Sequence, residues 1–294
     1  MIKISLSTKE VSALNDDFAD CDHGKSENED YALRERAGDF YVSGEYLTGY
    51  FGPGGDVTIP EGFTKIDRRV FQCGDAVNIT GITIPKSVTA IDTDAFSFCT
   101  NLREIRVEEG NPHYCVVDDL LLKRDGRGDF VLHTCPAARS GVLEILEGVV
   151  RIAGFACRGC AGLTGVNIPG SVWKIGEYAF SGCSSLTHVT IPGGVKCIGE
   201  AAFYHCTNLT HVAMLEGVRY IGEEAFLGCM NLNYVALPGS VRKVYADAFW
   251  GTGMSEEAVR AAYAQVRENA METGASAPGD LPDEEAFYLF DDED

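Results

Sequence analysis

Residues 163–185 read LTGVNIPGSVWKIGEYAFSGCSS, and three further segments repeat this pattern: LTHVTIPGGVKCIGEAAFYHCTN (186–208), LTHVAMLEGVRYIGEEAFLGCMN (209–231) and LNYVALPGSVRKVYADAFWGT (232–252). Phe180, Phe203, Phe226 and Phe249 follow one another at intervals of 23 residues. A fixed period in the twenties is typical of a solenoid, in which each turn buries its apolar side against its neighbours. The sequence therefore predicts stacked turns with one Phe ring above the next.

The repeat has the form Lxx(V/I)xIPxxVxxIGxxAFxxCxx, with x for any residue, and extends roughly from Phe40 to Thr252. In this form it resembles the BspA-like, Treponema-type leucine-rich repeat family. The resemblance implies a mainly β, right-handed and curved solenoid, with a parallel sheet on its concave side that binds proteins. It also implies that the chain is similar to surface proteins of bacteria or protists, which often attach to host or neighbouring-cell molecules.

The parts flanking the repeat differ from it in composition. The first residues are polar and acidic without strand or helix periodicity, and the last are acidic around the patch Phe287–Phe290. We therefore predict an acidic lead-in (1–37), a solenoid (38–253) with an N-terminal cap at about 38–56, a C-terminal capping helix (254–274) and an acidic tail (275–294).

The capping helix is predicted from SEEAVRAAYAQVRENAMETG, which starts at Ser255. Ser255 suits an N-cap, acidic residues follow in the first turn, and Gly274 suits the end. We expect the helix to cover the last turn with its apolar face, which consists of Val259, Tyr263, Val266 and Ala270.

An insertion at about residues 110–141 interrupts the repeat. Its apolar runs, Val116–Leu122 and Phe130–His133, lie on either side of Asp125-Gly126-Arg127-Gly128, which predicts a β-hairpin. The tripeptide Arg127-Gly128-Asp129 then falls at the hairpin tip, where an integrin could bind it. Exposed turns are rich in these residue types in any case.

Charge and hydropathy exclude several classes of partner. The formal charge is −20, and residues 280–294 contain eight acidic residues and no basic one. This balance argues against nucleic-acid binding, which requires clustered Lys and Arg. The sequence contains no apolar run of about 18 residues for a membrane span, and its start lacks the apolar core of a secretory signal. As written, the chain is expected in the cytoplasm; if a signal was removed, it is expected at the cell surface or secreted.

The chain contains eleven cysteines, and their regular placement in the repeat argues against reading them as disulfide partners. Cys157 and Cys160 form a Cys-x-x-Cys pair, but Cys157 stands at the Phe position of later turns, so that packing explains both residues. We expect buried, reduced thiols at one repeat position. Its members are Cys99, Cys160, Cys183, Cys206 and Cys229.

Two His–Cys pairs flank the inserted hairpin and leave a metal site open as an alternative. His113, Cys115, His133 and Cys135 supply the ligand types of structural zinc. Their one-residue gaps differ from the usual zinc knuckle, and ordinary hairpin residues are the favoured interpretation. We expect neither a metal nor a cofactor.

The candidate binding residues are the outward positions of the predicted concave strands. The column Gly165, His188, His211 and Tyr234 offers apolar rings with polar tips, a composition that is common in binding surfaces. The predicted partner-binding residues are Arg103, Glu104, Arg106, Asn167, His188, Thr190, His211 and Tyr234.

Two further columns carry charge. Trp173, Lys196, Arg219 and Arg242 form a mainly basic column, and the acidic column beside it contains Asp94, Glu177, Glu200, Glu223 and Asp247. We expect the two columns to neutralise each other through surface ion pairs.

The sequence contains no nucleophile elbow, no phosphate-binding loop with Lys and no HExxH motif. It therefore predicts a non-enzymatic, monomeric module that binds a protein partner through its concave face. The alternatives are a cell-surface adhesin and a metal-binding or redox role of the inserted hairpin.

Overall fold

The computed structural model describes residues 35–72, 74–245 and 247–272. It confirms a mainly β solenoid, with about nine turns and a C-terminal helix. Each repeat forms one strand at its LxxVxI segment, where apolar and polar residues alternate, and a shorter one at its VxxI segment. The strands are β1 (Glu35–Ala37), β2 (Phe40–Ser43), β3 (Tyr46–Tyr50), β4 (Gly55–Thr58), β5 (Lys65–Ile66), β6 (Ile79–Ile84), β7 (Ala90–Ile91), β8 (Glu104–Val107), β9 (Tyr114–Val117), β10 (Leu120–Arg124), β11 (Phe130–Thr134), β12 (Ser140–Glu144), β13 (Val149–Ile152), β14 (Gly162–Asn167), β15 (Lys174–Ile175), β16 (His188–Ile191), β17 (Cys197–Ile198), β18 (His211–Met214), β19 (Tyr220–Ile221), β20 (Val235–Ala236) and β21 (Lys243–Val244); the helix, α1, is Glu256–Glu272, and a 3-10 helix covers Gly74–Asn78.

The strands form two sheets on each side of the solenoid. The LxxVxI strands pair in the orders β4-β6-β8 and β12-β14-β16-β18-β20. On the other side the orders are β1-β2-β3-β5-β7 and β21-β19-β17-β15-β13-β11-β10-β9. Successive repeats pair in parallel, with His188 opposite His211 and Val189 opposite Val212. Equivalent residues of neighbouring turns therefore lie side by side.

The Phe rings form the continuous stack that the sequence predicts. Ring centroids are 5.2 Å apart for Phe180 and Phe203, 5.2 Å for Phe203 and Phe226, and 5.6 Å for Phe226 and Phe249. The rings are almost parallel and fully buried. Each turn thus completes its core only against the turns next to it.

The cysteine thiols bind the backbone of the preceding turn. Cys206 Sγ lies 3.2 Å from the carbonyl oxygen of Phe180, and Cys229 Sγ lies 3.1 Å from that of Phe203. Cys183 makes the same contact with Cys157, at 3.2 Å, so that Cys157 does occupy a Phe position. The thiol therefore supplies a weak donor as well as a small buried volume.

The later repeats have two left-handed positions: one carries Phe155, Tyr178, Ala201, Glu224 and Asp247, and the other is usually glycine. The second position is the residue before the ladder cysteine, and glycine occupies it at Gly159, Gly182 and Gly228, each with φ of 73°. His205 stands at the same position with φ of 54°. A side chain raises the energy of this conformation, so His205 is strained where its neighbours are not.

The solenoid is interrupted where the insertion enters. β8 pairs with β6 but not with β12, and the buried apolar residues fall into two clusters that meet at the insertion. At the edge of β7, side chains instead of a neighbouring strand form hydrogen bonds with the backbone groups of Ile91. The Ile91 N–H donates to the Tyr114 hydroxyl at 2.8 Å, and His133 Nε2 lies 3.0 Å from the Ile91 oxygen.

The insertion contains three strands, where the sequence predicted a two-stranded hairpin. The predicted run Val116–Leu122 is divided between β9 and β10 by a tight turn at Asp118 and Asp119, with φ of 52° and 65°. Aspartate is one of the few residues that adopt this conformation at moderate cost, which makes the two-residue turn possible. β10 and β11 form the expected antiparallel hairpin.

Helix α1 caps the last turn. The Ser255 Oγ accepts the N–H of Ala258 at 3.2 Å, as expected of an N-cap. The Tyr263 hydroxyl donates to the Tyr245 oxygen at 3.0 Å, and Val266 is buried. The side chain of Ala270 lies outside the described residues, as do residues 1–34 of the lead-in and the acidic tail; residues 35–37 form β1.

Candidate interaction surface

The outward side chains of β12, β14, β16, β18 and β20, with Tyr234 just before β20, form a surface that we call the strand face. The inward residues of these strands, such as Val189 and Val212, are buried, whereas His188 and His211 are exposed. Alternation along each strand separates the two sets. Tyr234 is 69% exposed although it is aromatic.

The two histidines of the strand face are held in one orientation. His188 Nδ1 lies 3.0 Å from Thr187 Oγ1, and His211 Nδ1 lies 2.9 Å from Thr210 Oγ1. Each threonine hydroxyl donates to a carbonyl of the preceding turn, from Thr187 to Thr164 at 3.2 Å and from Thr210 to Thr187 at 2.9 Å. Because the hydroxyl proton is used there, Nδ1 is the donor to Oγ1 and Nε2 carries the free lone pair.

Asn167 and Thr190, the other predicted residues of this sheet, are also exposed. The Asn167 amide donates to Glu144 Oε1 at 2.6 Å on the neighbouring strand. Thr190 lies opposite Ala213, so the row beside the histidines is small in side-chain volume. The rings of His188, His211 and Tyr234 therefore project further from the sheet than the small side chains in the row beside them.

The predicted residues Arg103, Glu104 and Arg106 are not part of this sheet. Glu104 and Arg106 lie on β8, in the three-stranded sheet before the break, and Arg103 directly precedes β8. Arg106 donates to Glu104 Oε1 at 2.6 Å and also faces Asp56 at 3.8 Å. The hydrogen bond to Glu104 raises the pKa of Arg106. The eight predicted residues thus fall on two surfaces. On the surface around β8, Glu104 and Asp56 neutralise the charge of Arg106.

A cleft marks the break between the two sheets. Its volume is about 520 Å³. Arg139 at its wall donates to the Asp118 oxygen at 2.8 Å, which ties the insertion to the start of β12. The lining residues are Arg103, Asp119, Pro136, Ala138, Arg139 and Ser140.

The expected neutralisation of the basic column is wrong for its three cations. Lys196, Arg219 and Arg242 form no ion pair with any carboxylate of the described residues. Lys196 Nζ instead donates to the Gly193 oxygen at 2.8 Å. Sequence spacing placed these residues in adjacent columns, but it did not fix the direction of their side chains.

The tripeptide Arg127-Gly128-Asp129 is exposed between β10 and β11. Asp125 Oδ1 accepts the N–H groups of Arg127 and Asp129, both at 2.9 Å, and Gly128 has φ of 86°. The hydrogen bonds to Asp125 therefore fix the backbone of the loop, while the side chains of Arg127 and Asp129 are exposed to solvent.

The proposed zinc ligands do not come together. In the described part of the chain, no three His, Cys, Asp or Glu residues are placed to hold a metal ion. His133 is buried, and its ring nitrogens are occupied by the Ile91 oxygen and by Thr134 Oγ1, the latter at 2.8 Å. Burial lowers the pKa of His133 to about 4. His133 is thus a structural residue of the insertion.

Helix α1 is too short and too polar to cross a bilayer, and the described residues contain no other helix that could do so.

A family model described as the BspA type leucine rich repeat region matches residues 55–114 and 138–271 in six copies. No curated protein sequence matches the chain. Among solved structures, a leucine rich cell surface protein from Faecalibacterium prausnitzii is 29% identical, with a TM-score of 0.59 over 71% of this chain and 62% of that protein. This chain therefore spans less than two thirds of that protein's length.

Two other bacterial structures are also similar. A leucine-rich repeat protein from Eubacterium ventriosum is 20% identical, with a TM-score of 0.46, and covers 69% of this chain and 66% of its own length. The leucine rich repeat protein of T. pallidum is 25% identical, with a TM-score of 0.43 over 79% of this chain and 95% of its own.

Proposed function

Because the chain belongs to the BspA type leucine rich repeat family, we propose that it is a non-enzymatic module that binds a protein partner through the strand face. The observation that carries this proposal is the row of His188, His211 and Tyr234, three exposed rings of successive turns; the histidines lie on β16 and β18 and Tyr234 directly precedes β20 of the same parallel sheet. Rings of this kind supply much contact area at a small cost in conformational entropy.

The histidines also give the surface a defined polarity. Their Nδ1 atoms are engaged with Thr187 and Thr210, so the Nε2 atoms are the acceptors available to a partner. Neighbouring strands are about 4.8 Å apart, which sets the spacing of the two acceptors. A partner with N–H or O–H donors at that spacing would be bound without reorganisation of the face, and preorganisation increases affinity.

The test is affinity capture with a triple variant. The variant with His188→Ala, His211→Ala and Tyr234→Ala should no longer capture the proteins that the unchanged chain captures, because a few aromatic anchors dominate most interfaces. The midpoint of thermal unfolding should stay the same, since all three side chains are exposed. A control with Thr89→Ala, Asn208→Ala and Glu223→Ala changes three exposed residues elsewhere. Retention of the same proteins by the first variant would contradict the assignment of the face.

A second candidate function is cell-surface adhesion. It is supported by the 29% identity to a protein named as a leucine rich cell surface protein and by the exposed loop Arg127-Gly128-Asp129. The loop is tested by comparing the unchanged chain with Asp129→Glu in an integrin-dependent cell-attachment assay. Glutamate keeps the charge but moves the carboxylate by one methylene, so attachment through the loop should be lost. Equal attachment of both proteins would exclude this loop.

A further inference from the structure

The three cations of the basic column lie one above another. Lys196, Arg219 and Arg242 each directly precede a short strand, namely β17, β19 and β21. The Arg219 N–H donates to the Lys196 oxygen and the Arg242 N–H to the Arg219 oxygen, both at 2.9 Å. With about 4.8 Å between neighbouring strands, the three side chains start within roughly 10 Å of one another.

The cations of this column lack ion pairs among the described residues. No described carboxylate forms an ion pair with any of its three cations, and the Lys196 ammonium group has a neutral partner, the Gly193 oxygen. Like charges on adjacent strands repel each other. An anionic segment along the column would convert this repulsion into attraction.

The chain itself contains such a segment, in the residues that follow helix α1 in the sequence. Helix α1 packs on the turn that carries Arg242, where the Tyr263 hydroxyl donates to the Tyr245 oxygen at 3.0 Å. It ends at Glu272, and 22 residues of the sequence follow. Fully extended, they reach at most about 70 Å, which exceeds the length of the column several times. A tethered segment of this length has an effective concentration in the millimolar range.

The order of residues 280–290, acidic and then aromatic, fits the order of the column. Asp280–Glu285 and Asp291–Asp294 contain eight acidic residues, on either side of Ala286–Phe290. Next to Lys196 in the column comes Trp173, whose backbone oxygen accepts the Lys196 N–H at 2.7 Å and whose ring is half-buried. The column thus offers three cations followed by an aromatic ring.

We propose that residues 280–294 lie along the basic column, with their carboxylates on Lys196, Arg219 and Arg242 and their aromatic residues next to Trp173. The contact is intramolecular and leaves the strand face free, so it does not depend on the function proposed above. Nucleic acid is a poorer occupant, because a chain with a formal charge of −20 repels phosphate beyond these three residues.

The experiment places a photo-crosslinker, p-benzoylphenylalanine, at Tyr288 of the full chain. After irradiation at low ionic strength, mass spectrometry should locate the main crosslinks in peptides that contain Trp173, Lys196, Arg219 or Arg242. The yield should not change with protein concentration, because the contact is intramolecular. It should fall at least about fivefold in 1 M NaCl, where the Debye length is only about 3 Å.

Charge-reversal variants decide the role of the column. Lys196→Glu, Arg219→Glu and Arg242→Glu together should reduce those crosslinks at least about fivefold, whereas Arg68→Glu, Arg69→Glu and Lys86→Glu, an equal change in net charge at exposed sites of the N-terminal turns, should not. Replacing the three column residues by Gln guards against a folding defect and should give an intermediate yield.

Crosslinks that map mainly to another surface would overturn the proposal, as would a yield that rises with protein concentration or one that is equal in both reversal variants. Crosslinks centred on the strand face would assign the tail to that surface instead.

Discussion

His133 Nε2 lies 3.0 Å from the backbone oxygen of Ile91, across the break between the two parts of the solenoid. A carbonyl can only accept, so Nε2 carries the proton and Nδ1 accepts from the Thr134 hydroxyl. The imidazole is fully buried beside the Tyr114 ring, with ring centroids 5.6 Å apart. A neutral histidine of fixed tautomer thus connects the two parts of the solenoid at a point where no strands pair between them.

This environment predicts a stability that depends on pH. Burial lowers the pKa of His133 to about 4, whereas an unfolded histidine titrates near 6.5, so the unfolded state binds the proton first. Stability should therefore fall as the pH decreases from about 6.5 to 4, by roughly 3 kcal/mol from this residue. Urea unfolding at several pH values measures it. His133→Gln can keep a donor to Ile91 but does not titrate, so its stability should change less over the same range; equal slopes would contradict the prediction.

Tyr114→Phe should destabilise the protein by about 1–3 kcal/mol, because it leaves the Ile91 N–H without its partner in a buried site. The free energy of unfolding from chemical denaturation gives this difference. Tyr234→Phe removes a hydroxyl from a ring that is 69% exposed and should change stability by less than about 0.5 kcal/mol. If both variants lose the same free energy, the Tyr114 hydroxyl does not support the break.

His205→Gly should stabilise the protein by roughly 0.5–1 kcal/mol, because glycine removes the cost of a side chain at φ of 54°. The gain is smaller than the full cost, since a glycine also increases the entropy of the unfolded chain. Thermal unfolding detects the change. The reverse substitution at the equivalent position, Gly182→Ala, should destabilise the protein; a stabilising effect there would show that the backbone strain has been misjudged.

The ladder thiols should resist alkylation in the native protein. Burial raises the pKa of Cys99 to about 12 and raises that of Cys183 as well, so almost no thiolate is present at pH 8. Compared with these ladder thiols, the half-buried Cys115 should react first with iodoacetamide. Peptide mapping by mass spectrometry, before and after denaturation, gives the order. Labelling of Cys183 as fast as Cys115 would contradict the buried ladder.

The predicted partner surface was only partly foreseeable. The exposure of His188, His211 and Tyr234 follows from strand alternation, and the repeat places them on neighbouring strands. The free Nε2 atoms depend on Thr187 and Thr210, whose hydroxyls bind the preceding turn. The separation of Glu104 and Arg106 from this surface depends on the break, which the repeat pattern does not describe.

The sequence by itself determined the contacts between successive turns, namely the 23-residue period, the stacked Phe rings and the thiol ladder, and also the capping helix. These features follow from the sequence because each turn contacts the same neighbour in the same way. Only the tertiary structure decided what happens where that regularity ends: the turn at Asp118 and Asp119, the two core clusters, and the bonds of Tyr114 and His133 to Ile91. His133 and Ile91 are 42 residues apart, and a contact that occurs once in a fold has no periodicity by which a sequence could reveal it.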